Sequence, residues 1–148
     1  MIIFGIDPGF SGGWGAIDET GAYVNCGDML HTGNFLHFNQ ILKAMRETVK
    51  DGECIVVVEA VHAMPKQGVS SSFKFGVSYG VALSLAQALG IWGLATPRVW
   101  KQDLELTADK NDSLAMARLL WPDAPLARKK DNGRAEALLM AEWKRRML

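Results

Sequence analysis

At 148 residues the chain has the length of one domain spanning 1–148, and its 49% apolar residues suffice for a sizeable core. A net charge of zero argues against a strongly electrostatic DNA binder, and no run of eighteen or more apolar residues offers a membrane span. Cys26 and Cys54 make neither a disulfide framework nor a metal spacing, which fits a reduced, cytoplasmic setting.

The opening "MIIFGIDPG" has no charged leader before its apolar residues. It reads as a first strand, not a signal peptide, and Pro8-Gly9 marks a turn after Asp7. "GWGAI" (13–17) and "AYVNC" (22–26) read as strands joined by the tight turn "DETG" (18–21), an antiparallel meander. Residues 35–50 place Phe35, Phe38, Leu42, Met45 and Val49 on one face, which predicts an amphipathic helix. "CIVVVEAV" (54–61) is a β-branched run suited to a strand buried on both faces.

Residues 70–89 predict a long apolar helix ended by Gly90, with Gly76 and Gly80 open to close approach of another element. "IWGLAT" (91–96) predicts a strand stopped by Pro97, and 109–120 and 133–147 predict two final helices. Trp14, Trp92, Trp100, Trp121 and Trp143 read mainly as core. The order β-β-β-α-β-α-β-α-α is an α/β class: a mixed five-stranded sheet flanked by helices.

Charge is unevenly spread. Residues 1–96 carry five Lys/Arg against eight Asp/Glu, and residues 97–148 carry eleven against eight. The late basic residues form either a solvated surface or a face for a polyanion.

Asp7 closes the first strand and Glu59 follows the buried run "CIVVV". Burying a carboxylate without a partner is costly, and functional groups gather at strand C-terminal ends in sheets with parallel central strands. If these strands are neighbours, the two acids face each other and repel unless a proton or cation lies between them. Mg²⁺ or Mn²⁺ would suit such oxygen ligands; separate pairing with lysines is the alternative. Glu136, on a terminal helix, would complete an acidic cluster able to serve phosphodiester hydrolysis, or else is a surface residue.

Four stretches, "GIDPGFSGGWGAI", "VVVEAVHAMPKQGVSSSFKFGVSYG", "TPRVWKQDLELTADK" and "RKKDNGRAEALLMAEW", together resemble the RuvC family of Holliday-junction resolvases, closest to its short phage and organelle-type members. The resemblance implies a ribonuclease H-like fold, a homodimer acting on four-way junction DNA, and an endonuclease with two Mg²⁺ per site, Mn²⁺ substituting. It implies metal-site roles for Asp7, Glu59, Asn132 and Glu136. Lys101 and Lys110 resemble the family's basic residues near the scissile phosphate. The loop after Glu59 and the start of the following helix offer His62, Lys66, Ser70, Ser71, Phe73 and Lys74 as DNA contacts. His62, Met64 or Phe73 is a candidate wedge, although Phe73 and Phe75 are more often core than stacking residues. Lys129 and Lys130 add basic contacts. An actin-like ATPase, which also begins with "GIDPG", needs a far longer chain.

The family's last helix commonly carries an acid where this chain has Asn132. Residues 132 and 136 share a helix face. Asp131 lies about 140° around a regular helix from Glu136 and reads as a plausible N-cap. Asn is isosteric with Asp but neutral, a weak ligand and a poor base. Three explanations stand: Asn132 serves with weakened metal binding; a local shift lets Asp131 serve; or asparagine replaces an aspartate and disables cutting. The third is favoured because Asn is the least disruptive replacement and the other motifs are intact. A junction-binding protein that does not cleave, or a nuclease for other branched DNA or for RNA, are the competing functions.

Overall fold

The computed structural model describes residues 1–148. Strands β1 (Ile2–Asp7), β2 (Gly13–Asp18) and β3 (Tyr23–Asp28) form the expected meander, followed by the two-residue strands β4 (His31–Thr32) and β5 (Phe35–Leu36) and helix α1 (Phe38–Val49). Then come β6 (Cys54–Glu59), α2 (Val69–Leu89), β7 (Ile91–Ala95), α3 (Pro97–Asp103), α4 (Lys110–Leu120), a 3-10 turn (Lys129–Asp131) and α5 (Asn132–Arg145). The main sheet has the order β3-β2-β1-β6-β7. β1 is antiparallel to β2 and parallel to β6, which is parallel to β7. No helix is long and apolar enough to cross a membrane.

Side-chain parity along the strands divides the core into two layers. Ile3, Ile17, Val57 and Ala95 pack with Trp100, Leu138 and Leu139 from α3 and α5. Phe4, Ile6, Trp14, Ala16, Val56 and Val58 pack on the other face with Met45 of α1 and Leu85 of α2. The sheet is therefore sandwiched between helices, and β1 and β6 are covered on both sides, as the apolar run of β6 requires.

Several expectations need correction. Phe35 is not on the α1 face: it lies in β5, paired to Thr32, and is 79% exposed. Gly33, at φ +55, lies in the turn that joins the two strands of this small hairpin, and the helix starts only at residue 38. β6 ends at Glu59, two residues early, although the Ala60 amide still donates to the Ala95 carbonyl. α5 begins at Asn132, and α3 was not foreseen; Pro97 at its first position and Thr96 at its N-cap mark its start. Trp92 is 41% exposed on the edge strand β7, whereas the other four tryptophans are buried.

Candidate active site

The pairing of β1 with β6, Ile6 opposite Val58, carries Asp7 and Glu59 out together at the strand ends. Both are odd-numbered, like Ile3 and Val57, so both point to the face covered by α5. Glu136 comes down from α5 onto the same spot. Ligand oxygens of the three acids lie within 4.8 Å of one another, and all three residues are buried.

Neighbours orient two of the three acids. The Trp100 indole Nε1 donates to Glu59 Oε1 at 3.1 Å. Lys101 Nζ and Ser113 Oγ both donate to Glu136 Oε1, at 2.7 and 3.1 Å. Lys101 is thus a half-buried counter-ion beside the cluster. Burial pushes the Asp7 carboxyl well above the usual carboxylate range, helped by the charges of Glu59 and Glu136 and opposed by Lys110 and Lys101. Burial also raises Glu59, with Glu136 adding and the Trp100 hydrogen bond and the two lysines opposing. One ammonium cannot balance three carboxylates in so dry a place. An oxygen-only donor set with excess negative charge fits a hard divalent cation such as Mg²⁺.

The electrostatics have a measurable consequence. A carboxyl whose pKa is raised by folding stabilises the fold while protonated, so stability is lost as pH climbs from the ordinary carboxylate range through the elevated value. Asp7→Asn removes that loss. In EDTA at neutral pH its melting temperature is expected to exceed that of the parent by a few degrees, about what 1 kcal/mol produces at this size. Mg²⁺ is expected to raise the parent's melting temperature, by linkage, and to leave the variant's nearly unmoved. Equal Mg²⁺ responses in the two proteins would refute a cation site at Asp7.

No family model matches the chain. It is 41% identical over 91 residues, 58% of its own length, to the chloroplastic Holliday junction resolvase MOC1 of Chlamydomonas reinhardtii. The match spans only 10% of that protein. The structure of T. thermophilus RuvC in complex with a Holliday junction substrate superposes with a TM-score of 0.65 at 21% identity, covering 99% of this chain and 96% of that one. The chain has the RuvC fold. A second Thermus thermophilus RuvC structure agrees, with a TM-score of 0.58, 22% identity and the same coverage.

On this RuvC scaffold Asn132 is the first residue of α5, half-buried, four before Glu136. Asp131 is not available to stand in. It occupies the N-cap position of α5 but caps nothing there: its carboxylate turns back to accept from the Arg128 amide at 2.7 Å and Arg128 Nε at 2.8 Å. Arg134 lies 3.9 Å away and is itself tied to Asp28 at 2.7 Å. Arg128 overcomes the effect of burial and holds Asp131 below the usual carboxylate range. The side chain is 1% exposed and locked in an ion-pair network outside the acidic cluster.

The expected DNA contacts are exposed. His62, Met64 and Lys66 lie on the loop between β6 and α2, and Ser70, Ser71, Phe73 and Lys74 on the first turns of α2. Phe73 is not a core residue, contrary to the core reading of this position: it is 73% exposed, whereas Phe75 is half-buried. Lys110 starts α4, with its charge felt at Asp7 and Glu59. Lys129 and Lys130 are exposed on the 3-10 turn before α5. The sequence reading missed the supporting groups: Ser113, and Trp100 as a donor to Glu59. Trp100 next to Lys101, just inside a Thr-Pro helix start, was the available signal.

Proposed function

We propose that this chain is a RuvC-type resolvase module: a structure-selective endonuclease site for four-way DNA junctions, presented by a homodimer. The observation that carries the reading is the buried trio Asp7, Glu59 and Glu136 on a RuvC fold, beside 41% identity over 91 residues to a protein named as a Holliday junction resolvase.

In this reading Asp7, Glu59 and Glu136, with Asn132 as a weak fourth ligand, hold two Mg²⁺, which when bound supply positive charge to polarise a water and the scissile phosphate. Trp100 and Ser113 keep Glu59 and Glu136 in place by hydrogen bonds. Lys101 shields Glu136 and brings positive charge towards phosphate oxygens, as Lys110 does from the start of α4. His62, Lys66, Ser70, Ser71, Phe73, Lys74, Lys129 and Lys130 line the approach of the DNA. The outward stripe of α2, Val69, Phe73 and Val77, is exposed apolar surface, and so are Trp92 and Leu94 on the edge strand β7, which share the sheet face that α2 covers. A Cβ at Gly76 or Gly80 would meet nothing within 4 Å. A second copy covering this stripe would set two sites against the two-fold symmetry of a junction.

Asn132 favours a second reading, a module that binds junctions without cutting them. The test is binding and nicking of a labelled four-way junction by the chain in Mg²⁺ or Mn²⁺, with linear duplex and structured RNA of matched length as competitors. Preferential binding of the junction supports the proposal, and nicking distinguishes the enzyme from the binding module. Binding that RNA displaces more readily than junction DNA would sink both.

A further inference from the structure

The turn after Asp7 carries an aromatic ring that the acidic site does not use. Phe10 is half-buried and stands between two hollows, belonging to the wall of each. On one side is a hollow of about 350 Å³ lined by His31 and Lys130. On the other is one of about 550 Å³ lined by Ser70, Ser71 and Lys74. The His31 ring meets Phe10 edge-on, with centroids 5.1 Å apart and planes at 86°. Lys74 Nζ lies 5.3 Å from the Phe10 centroid.

The ring is held in place from Asp7. Gly9 takes φ +120, the Gly12 amide donates to the Gly9 carbonyl at 3.1 Å, and Gly12 packs so tightly on the Asp7 carbonyl that no Cβ would fit. Asp28 also faces the first hollow, but its carboxylate is committed to Arg134 at 2.7 Å and Arg128 at 3.3 Å, so it does not leave a free negative charge there.

An aromatic ring with a hollow on either side, each lined by a lysine, matches the alternation of a nucleic-acid strand: phosphates at the lysines and a base on the ring. A small anion would need no ring, and an apolar peptide would find hydroxyls and ammonium groups. The geometry points to Phe10 as a stacking platform for one unpaired base of the DNA strand that passes Asp7, with Lys74 and Lys130 taking the phosphates on either side. This rests on the resolvase reading and names how its site takes up the strand. Lys74 now sits near the ring; an incoming base displaces it towards the adjacent phosphate, because a stacked base outweighs an exposed cation–π contact.

The experiment places 5-iodouracil at the branch point of a four-way junction, irradiates its complex with the full chain in EDTA, and maps the cross-linked peptide by mass spectrometry. The expected cross-link is at Phe10. Phe10→Leu is expected to lose it and to bind the junction about tenfold more weakly, while Phe10→Trp keeps both. The cross-link in the unaltered chain does not depend on how well either variant folds. Junction binding with cross-links only at Phe73 or His62, or with none, overturns the inference and leaves the resolvase reading standing. Failure of the unaltered chain to bind junctions overturns that reading, and the inference falls with it.

Discussion

Asn132→Asp is expected to raise single-turnover nicking of a four-way junction in Mg²⁺ by about a hundredfold or more, since even outer-shell partners of a metal are worth ten- to a hundredfold. Residue 132 stands one helical turn before Glu136 and on the same face of α5. In the proposed site the amide would contribute at most a neutral carbonyl beside the three carboxylates, and an acid there would add a charge without changing shape. The change also carries a stability signature. A fourth carboxylate in the cluster increases repulsion when no cation is present, so the variant is expected to melt lower than the parent in EDTA and to gain more on adding Mg²⁺. Asp131→Asn is the control: it weakens the tie to Arg128 and is expected to lower the melting temperature without any gain in cutting. Nicking by Asn132→Asp at the parent's rate would mean that position 132 does not belong to the metal site.

The acids were legible in the sequence because their placement follows from strand parity alone. Asp7 and Glu59 end two apolar runs, and once β1 and β6 pair in parallel both must point to one face. What could not be read was how Glu136 reaches them. That depends on the depth at which α5 docks, a property of residues with no side chain. The Phe35 error has a related cause: a helical pattern continued backwards through two residues that a Gly33 turn diverts into a hairpin. Asp131 takes the N-cap position as expected, but that position does not oblige the side chain to cap; Arg128 offered a stronger bond. α3, at seven residues, was too short for its periodicity to show.

The docking of α5 supplies the largest expected effect on stability. Gly5, Gly13 and Gly15 lie on the sheet face beneath α5, at the same parity as Asp7. A Cβ on Gly5 would run into the Ala137 carbonyl oxygen, with its carbon at 2.8 Å and the Ala141 amide nitrogen at 3.1 Å. On Gly13 it would meet Arg134 N at 2.8 Å, and on Gly15 Leu138 N at 2.8 Å. Helix backbone thus rests on strand backbone, and neither can yield as a flexible side chain would. Gly5→Ala is therefore expected to cost about 3 kcal/mol or more, at or above the upper end of the usual cost of overpacking. That is a large share of a typical domain's stability. Gly52→Ala, in the turn before β6 with nothing closer than 3.5 Å, is expected to stay within about 0.5 kcal/mol of the parent. Urea denaturation of the three proteins measures both. Where Gly5→Ala still folds, α5 must have lifted from the sheet, carrying Glu136 away from Asp7 and Glu59, so the Mg²⁺-induced rise in melting temperature is expected to shrink with it. A Gly5→Ala protein as stable as the parent, with an undiminished Mg²⁺ response, would show that the depth of this contact does not set the site.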